Sequence, residues 1–216
     1  MRTMQFAGYS GAGKTTLLAK VLAILKARGE RVIVLKHHGH GGAPKDHPPF
    51  LERKAQVLST PDAQAPDSFI FLEHGASKVI LVSGQMCYVY AHAPSPAPHA
   101  LSLSPVGRFP HCLGTVDMRP YDWFLIEGFK DVPWPKFFLV RDVSDLQWFE
   151  RMPSIWSNVK AILFPDQFRL EEAMRIWQNT TFWGVPFVRR DDLGHIVSIM
   201  MRTGGVYLDP RSLGHF

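Results

Sequence analysis

Residues 8–15 read Gly8-Tyr9-Ser10-Gly11-Ala12-Gly13-Lys14-Thr15, which is the pattern G-x-x-x-x-G-K-T. This is the pattern of a loop that wraps phosphate oxygens. Met4-Gln5-Phe6-Ala7 before it is an apolar run suited to a buried strand. After it, Leu17, Leu18, Val21, Leu22 and Leu25 fall on one helical stripe. They predict a helix from Thr15 to Arg28 that ends at Gly29. Arg31-Val32-Ile33-Val34-Leu35-Lys36 then reads as a second strand. Strand, glycine turn, helix and strand form a βαβ unit, and such units build parallel sheets covered by helices. The expected fold is therefore α/β and P-loop NTPase-like: a mostly parallel sheet with flanking helices, plus a hairpin extension.

The same motif fixes the expected chemistry. Glycines let the backbone curl around a phosphate, and the helix N-terminus turns N–H groups and a favourable dipole toward it. Ser10, Gly11, Ala12, Gly13, Lys14, Thr15 and Thr16 are the expected ligand-binding residues. Lys14 suits the β- and γ-phosphates, and the Thr15 hydroxyl suits Mg²⁺. Farther along, the buried-strand pattern Tyr121-Asp122-Trp123-Phe124-Leu125-Ile126 ends in Glu127-Gly128. An acid in that position orients the metal or polarises the attacking group, so Glu127 is the candidate catalytic and second metal residue. Asp46 is a further Mg²⁺ candidate. Lys130, Lys136 and Arg141 lie near the ends of late strands, where cations neutralise a phosphorylated ligand.

Hydrophobic residues make up 46% of the 216, enough for a sizeable core. We expect a nucleotide-binding domain over 1–165, with insertions at about 41–66 and 92–116, and a C-terminal extension over 166–216 packed on it. No run of 18 uncharged apolar residues suggests a membrane span. The opening strand and loop leave no room for a leader, so a cytoplasmic protein is expected. Cys87 and Cys112 read as reduced thiols rather than a disulfide. The net charge of +5 is scattered, with no Lys/Arg block. It suits small polyanions or an acidic partner, not nucleic acid.

The remaining segments divide by punctuation. His37, His38 and His40, with His47 nearby, lie on a polar loop; without a cysteine pair they suit a phosphate-facing loop better than a transition-metal site. A helix is expected from Asp67 or Ser68 to His74, closed by Gly75. Ser77–Ser83 and Met86–Ala91 form a hairpin pattern across Gly84-Gln85. Its Met86, Tyr88 and Tyr90 alternate and could offer an apolar face to a second subunit. Pro94–Pro110 reads as a loop. Lys136–Arg141 and Val159–Phe164 read as strands, Gln167–Gln178 as a helix, and the stretch around Val197 and Val206 as a hairpin.

Taken together, the loop through Thr16-Leu17-Leu18, the strand end Leu35-Lys36-His37 and Leu125-Ile126-Glu127-Gly128-Phe129-Lys130 resemble the molybdopterin-guanine dinucleotide biosynthesis protein B family, MobB. Asp67-Ser68-Phe69 with Gly75-Ala76, and Pro135 to Asp142, agree with it. The resemblance covers about residues 1–165, with gaps. It implies a P-loop α/β sheet, GTP and Mg²⁺ as ligands, weak GTPase activity and a homodimer. It also implies work beside the guanylyltransferase MobA, which joins GMP to molybdopterin. The chain departs from the pattern at Gly39, where the family has a histidine, at Pro66, where it has a lysine, and at Leu72, where it has a basic residue. No N-K-x-D signature is present, so the guanine preference rests on the resemblance. Two other readings share the loop. One is a small-molecule kinase with Arg189-Arg190 on a lid; the other is a nucleotide-gated interaction module in which Glu127 is structural.

Overall fold

A computed structural model describes residues 1–38, 67–83, 86–92, 101–108, 113–114, 116–129, 132–146, 158–166, 171, 174–175 and 184–203. Contacts group the chain into two units. One contains Leu22–Leu125; the other contains Arg2–Val21 and Ile126–Tyr207.

The second unit holds the phosphate loop. Strand β1 (Arg2–Gly8) leads into the loop, and helix α1 (Lys14–Ala27) leaves it, its first eight residues belonging to this unit. The strands that follow in this unit are β7 (Lys136–Leu139), β8 (Val159–Phe164) and β9 (Phe187–Arg189), in spatial order β1-β7-β8-β9. All three pairings are parallel. Parallel neighbours bury both faces, which is why these strands are almost continuously apolar. Ala7, Phe138, Val140, Leu146, Ile162 and Phe164 form one buried cluster, with Tyr9 of the loop packed against it. Gly8 is the hinge: its φ is 144°, and a Cβ there would overlap the backbone oxygen of Leu139, its β7 register partner.

The first unit is a mixed sheet. Its strands are β2 (Val32–His38), β3 (Lys78–Ser83), β4 (Met86–His92) and β5 (Leu101–Arg108), with the start of β6 (Trp123–Glu127) beside β2; Ile126 and Glu127 of β6 belong to the second unit. β2 and β3 are parallel, whereas β3-β4-β5 run antiparallel. Helix α2 (Asp67–Glu73) packs Phe69 edge-on to Tyr90 of β4, with centroids 5.1 Å apart. Tyr90 is thus buried inside its own unit rather than offered to a second subunit. Leu72, the departure from the basic family residue, is also buried.

Three further expectations fail, each for a physical reason, and one strand had no reading. Part of the stretch read as a proline-rich loop within the 92–116 insertion is strand β5. Pro105 lacks an N–H, but β5 ends the strand order, and the ladder shifts register between Cys87 and Tyr88 where Pro105 pairs. An edge strand tolerates that loss. The hairpin expected around Val197 is helix α3 (Leu193–Thr203); Ile196, Val197, Ile199 and Met200 are buried at helical spacing. Asp192 caps it, its Oδ1 accepting the His195 N–H at 3.0 Å,. Val206 lies outside the described residues. Strand β9 had no reading at all, being three residues long. Finally, Cys87 is disulfide-bonded, not reduced. It stands opposite Gly107 in the β4–β5 register, a few residues before the chain's other cysteine in sequence. That pairing is invisible while the stretch is read as a loop. Of the helix expected at 167–178, the described residues Glu171, Met174 and Arg175 are helical.

Candidate functional site: a phosphate loop, a carboxylate and an arginine

The loop backbone follows from its glycines. Gly11 and Gly13 have φ of 76° and 79°, conformations that other residues adopt at a cost,. The Ala12 N–H donates to Tyr9 O at 3.2 Å, tightening the turn. Lys14 Nζ donates to the same carbonyl at 2.8 Å, so the ammonium lies against its own loop. The Leu17 N–H to Gly13 O bond, 3.0 Å, opens the helix. The first N–H groups of a helix lack intrahelical acceptors, which makes this end receptive to an anion.

Tyr9 is wedged from behind. Its ring meets Phe138 edge-on at 6.4 Å and lies under the Arg141 guanidinium at 5.1 Å. Burial is the main cause that raises the Tyr9 hydroxyl pKa; the Asp145 carboxylate adds to it and Arg141 opposes it. Arg141 donates to Asp145 Oδ1 at 2.6 Å and to Oδ2 at 3.0 Å, and the Asp145 side chain is only 1% exposed. Arg141 is therefore a strut for the loop. Lys136, also a phosphate candidate by sequence, is fully buried with Nζ donating to Val132 O at 2.5 Å.

Glu127 meets the loop as expected. Thr15 Oγ1 donates to Glu127 Oε1 at 2.8 Å, and Glu127 is 6% exposed. What holds this end of β6 in place is Gln5 of β1, whose Nε2 donates to both Gly128 O and Phe129 O. Phe129 has the rare φ of 52° for a residue with a side chain. The Gly128 N–H donates to Phe6 O at 3.2 Å. Gln5 is a positioning residue that the sequence reading missed. The available signal was an amide inside the apolar run Met4–Ala7, since a buried amide needs partners.

The third component arrives from the far end of the chain. Arg190 Nη1 donates to Ala12 O and would lie 2.7 Å from a Cβ on Gly13. Beside this contact is a cleft of about 320 Å³ lined by Gly13, Thr16, Lys20, Asp166, Arg190 and Asp191 among others. Arg189, its neighbour, is taken up by Asp166 and Asp191 at 2.6 and 3.0 Å. Both arginines of the kinase-lid reading are thus engaged.

Asp46, Lys130, His40 and His47 lie outside the described residues. Among the described residues no cluster of three or more His, Cys, Asp or Glu side chains could hold a metal. No described helix is long and apolar enough to cross a membrane.

Known proteins are similar to this chain. A family model described as molybdopterin guanine dinucleotide synthesis protein B matches residues 3–49, which contain the loop and β2. The chain is 35% identical over 134 residues to the molybdopterin-guanine dinucleotide biosynthesis adapter protein of Haemophilus influenzae, covering 62% of this chain and 60% of that protein. The matching family model and the adapter relatives point to the MobB family. A second MobB relative, the probable adapter protein of Bacillus subtilis, is 25% identical over 189 residues, covering 88% of this chain and 86% of that one. The crystal structure of Bacillus subtilis MobB superposes with a TM-score of 0.50 at 21% identity, covering 95% of this chain and all of that one. That likeness carries the P-loop α/β fold. The alignment to the Haemophilus influenzae MobB relative spans less than two thirds of its length.

Proposed function

We propose that this MobB-family chain is a Mg²⁺-dependent GTP-binding adapter of molybdopterin guanine dinucleotide formation, with weak GTP hydrolysis. The observation that carries the reading is the 2.8 Å contact between Thr15 and Glu127 at the mouth of a complete phosphate loop. A hydroxyl and a carboxylate are hard oxygen donors, the set Mg²⁺ takes. Ser10 to Thr16 hold the phosphates through backbone N–H groups, and Lys14 exchanges the Tyr9 carbonyl for phosphate oxygens. Bound Mg²⁺ would neutralise charge on the phosphates. Thr15 and Glu127 would hold it, and Gln5 keeps Glu127 in place through Gly128 and Phe129. Slow hydrolysis fits the described residues, where Gln5 spends its amide on two carbonyls instead of orienting water. The family's adapter role supplies the partners: a MobA-like guanylyltransferase, with molybdopterin as its substrate, and a second copy of this chain.

The test is nucleotide titration, GTP against ATP, with and without Mg²⁺, in wild type and Glu127→Gln. The variant keeps an oxygen for Thr15, so the fold should hold. Affinity without Mg²⁺ should be unchanged or slightly higher, because one anion near the phosphates is gone. The Mg²⁺-dependent gain should shrink together with hydrolysis. A full Mg²⁺ response in the variant would reduce Glu127 to a structural cap, and a preference for ATP would overturn the GTP assignment.

A further inference from the structure

Arg190 differs from the two other arginines beside the loop. Arg141 has Asp145, and Arg189 has Asp166 and Asp191. Among the described residues Arg190 makes no ion pair; the partner it has is the neutral carbonyl of Ala12. Its guanidinium is partly buried, and that desolvation lowers its pKa, with Asp166 opposing from a distance. Its position is fixed, not incidental. The Arg190 N–H donates to Phe164 O at 2.9 Å, which anchors the residue at the end of β9. A Cβ at Gly13 would lie 2.7 Å from Arg190 Nη1, so a side chain there would displace the guanidinium from its seat. A cation is thus held, with no direct ion pair among the described residues, on the turn that wraps phosphate and beside the positive end of α1. Such a placement is unfavourable until an anion arrives.

We infer that Arg190 is a phosphate-contacting residue, a second nucleotide-binding cation beside Lys14, contributed by the C-terminal part of the chain. The inference rests on the nucleotide reading above. The carbonyl of Ala12 holds the guanidinium in the empty loop, and the phosphate chain of a nucleoside di- or triphosphate takes its place on binding. The fork of N–H donors suits phosphate oxygens. The adjoining cleft, with Thr16 and Lys20 on its wall, gives the rest of the ligand room.

Arg190→Gln and Arg189→Gln each remove one positive charge at adjacent positions, but Arg189 does not touch the loop. Titration with Mg-GTP and Mg-GDP should show Arg190→Gln weaker by about 10- to 100-fold for both, and Arg189→Gln within about twofold of wild type. Equal losses in the two variants, or none in Arg190→Gln, would overturn the inference. A second measurement needs no variant. Phenylglyoxal labelling of the wild-type chain, read by mass spectrometry, should fall at Arg190 when Mg-GTP is added and stay constant at Arg189. Unprotected labelling at Arg190 would equally overturn it. Wild-type protein that binds no nucleotide would remove the nucleotide reading and this inference together. Wild-type binding with a normal Arg190→Gln removes only this inference.

Discussion

Replacing Gly8 by alanine asks whether the close approach of β1 and β7 carries the fold of the loop-bearing unit. The added methyl would overlap the Leu139 backbone oxygen and lie 3.3 Å from the Leu139 carbonyl carbon and Cβ. A carbon needs about 3.3 Å from an oxygen. β7 would have to retreat by on the order of an ångström, and a backbone atom cannot rotate out of the way as a side chain can. Gly8 and Leu139 are paired in register, so the retreat strains the same ladder that buries Ala7 and Phe138. Overpacking costs about 1–3 kcal/mol. A φ of 144° adds about 1–3 kcal/mol for a residue with a side chain,. The sum, on the order of 2–6 kcal/mol, is a large share of a typical stability of about 5–15 kcal/mol. Gly11→Ala is the internal control. Its φ is 76° but nothing lies within 4 Å of the new methyl, so only the conformational term remains, about 1–2 kcal/mol,. Urea unfolding of both variants at equal protein concentration measures the difference. Equal midpoints for Gly8→Ala and Gly11→Ala would refute the reasoning, because the steric term would then be absent.

Lys14→Ala should weaken GTP binding by about 2 kcal/mol or more, the loss of a charge-assisted contact, while stability falls by no more than about 1 kcal/mol for the Tyr9 carbonyl bond; calorimetric titration and a melting curve check both. Asp145→Ala should cost about 1.5–3 kcal/mol in urea unfolding, since it removes the buried end of the Arg141 strut, although the half-exposed guanidinium can rehydrate,. Its nucleotide affinity should fall as well, because Tyr9 loses its support; an unchanged affinity would separate the strut from the loop. The Arg119 guanidinium, by direct hydrogen bonding, holds the exposed Asp117 carboxyl at about 2, below its ordinary 3.8. A depressed carboxyl contributes stability that is present above the ordinary value and lost as pH falls through about 2. Carbon-detected NMR titration should show that midpoint, and Arg119→Ala should raise it toward the ordinary value, short of it because the residue-119 N–H still donates to Asp117. A homodimer requires more than a monomer mass in sedimentation at micromolar protein; with Tyr90 buried on Phe69, a dimeric mass should survive Tyr90→Phe.

The sequence by itself determined the loop, the βαβ start and the acid on β6, because these depend on local rules. A glycine at each left-handed position, apolar residues at helical spacing and an acid after a buried run are all read within a short window. It also grouped Thr15 with Glu127 through motif order, and their side chains are in contact. Where the reading failed, the deciding contact was remote in sequence. Pro105 marks a loop unless the segment lies at a sheet edge, and only the strand order tells that. Val197 alternates plausibly until Asp192 caps a helix whose apolar side is buried. Gln5 looks like an interruption until Gly128 and Phe129, more than a hundred residues on, supply the acceptors for its amide. Arg190 could be assigned no more than a hypothetical lid from sequence. The tertiary structure seats it on Ala12, because β9 pairs with β8 and carries the residue to the loop. Hydrophobic periodicity reports which face of an element is buried. It carries no record of which distant polar group waits there, and packing alone decides that.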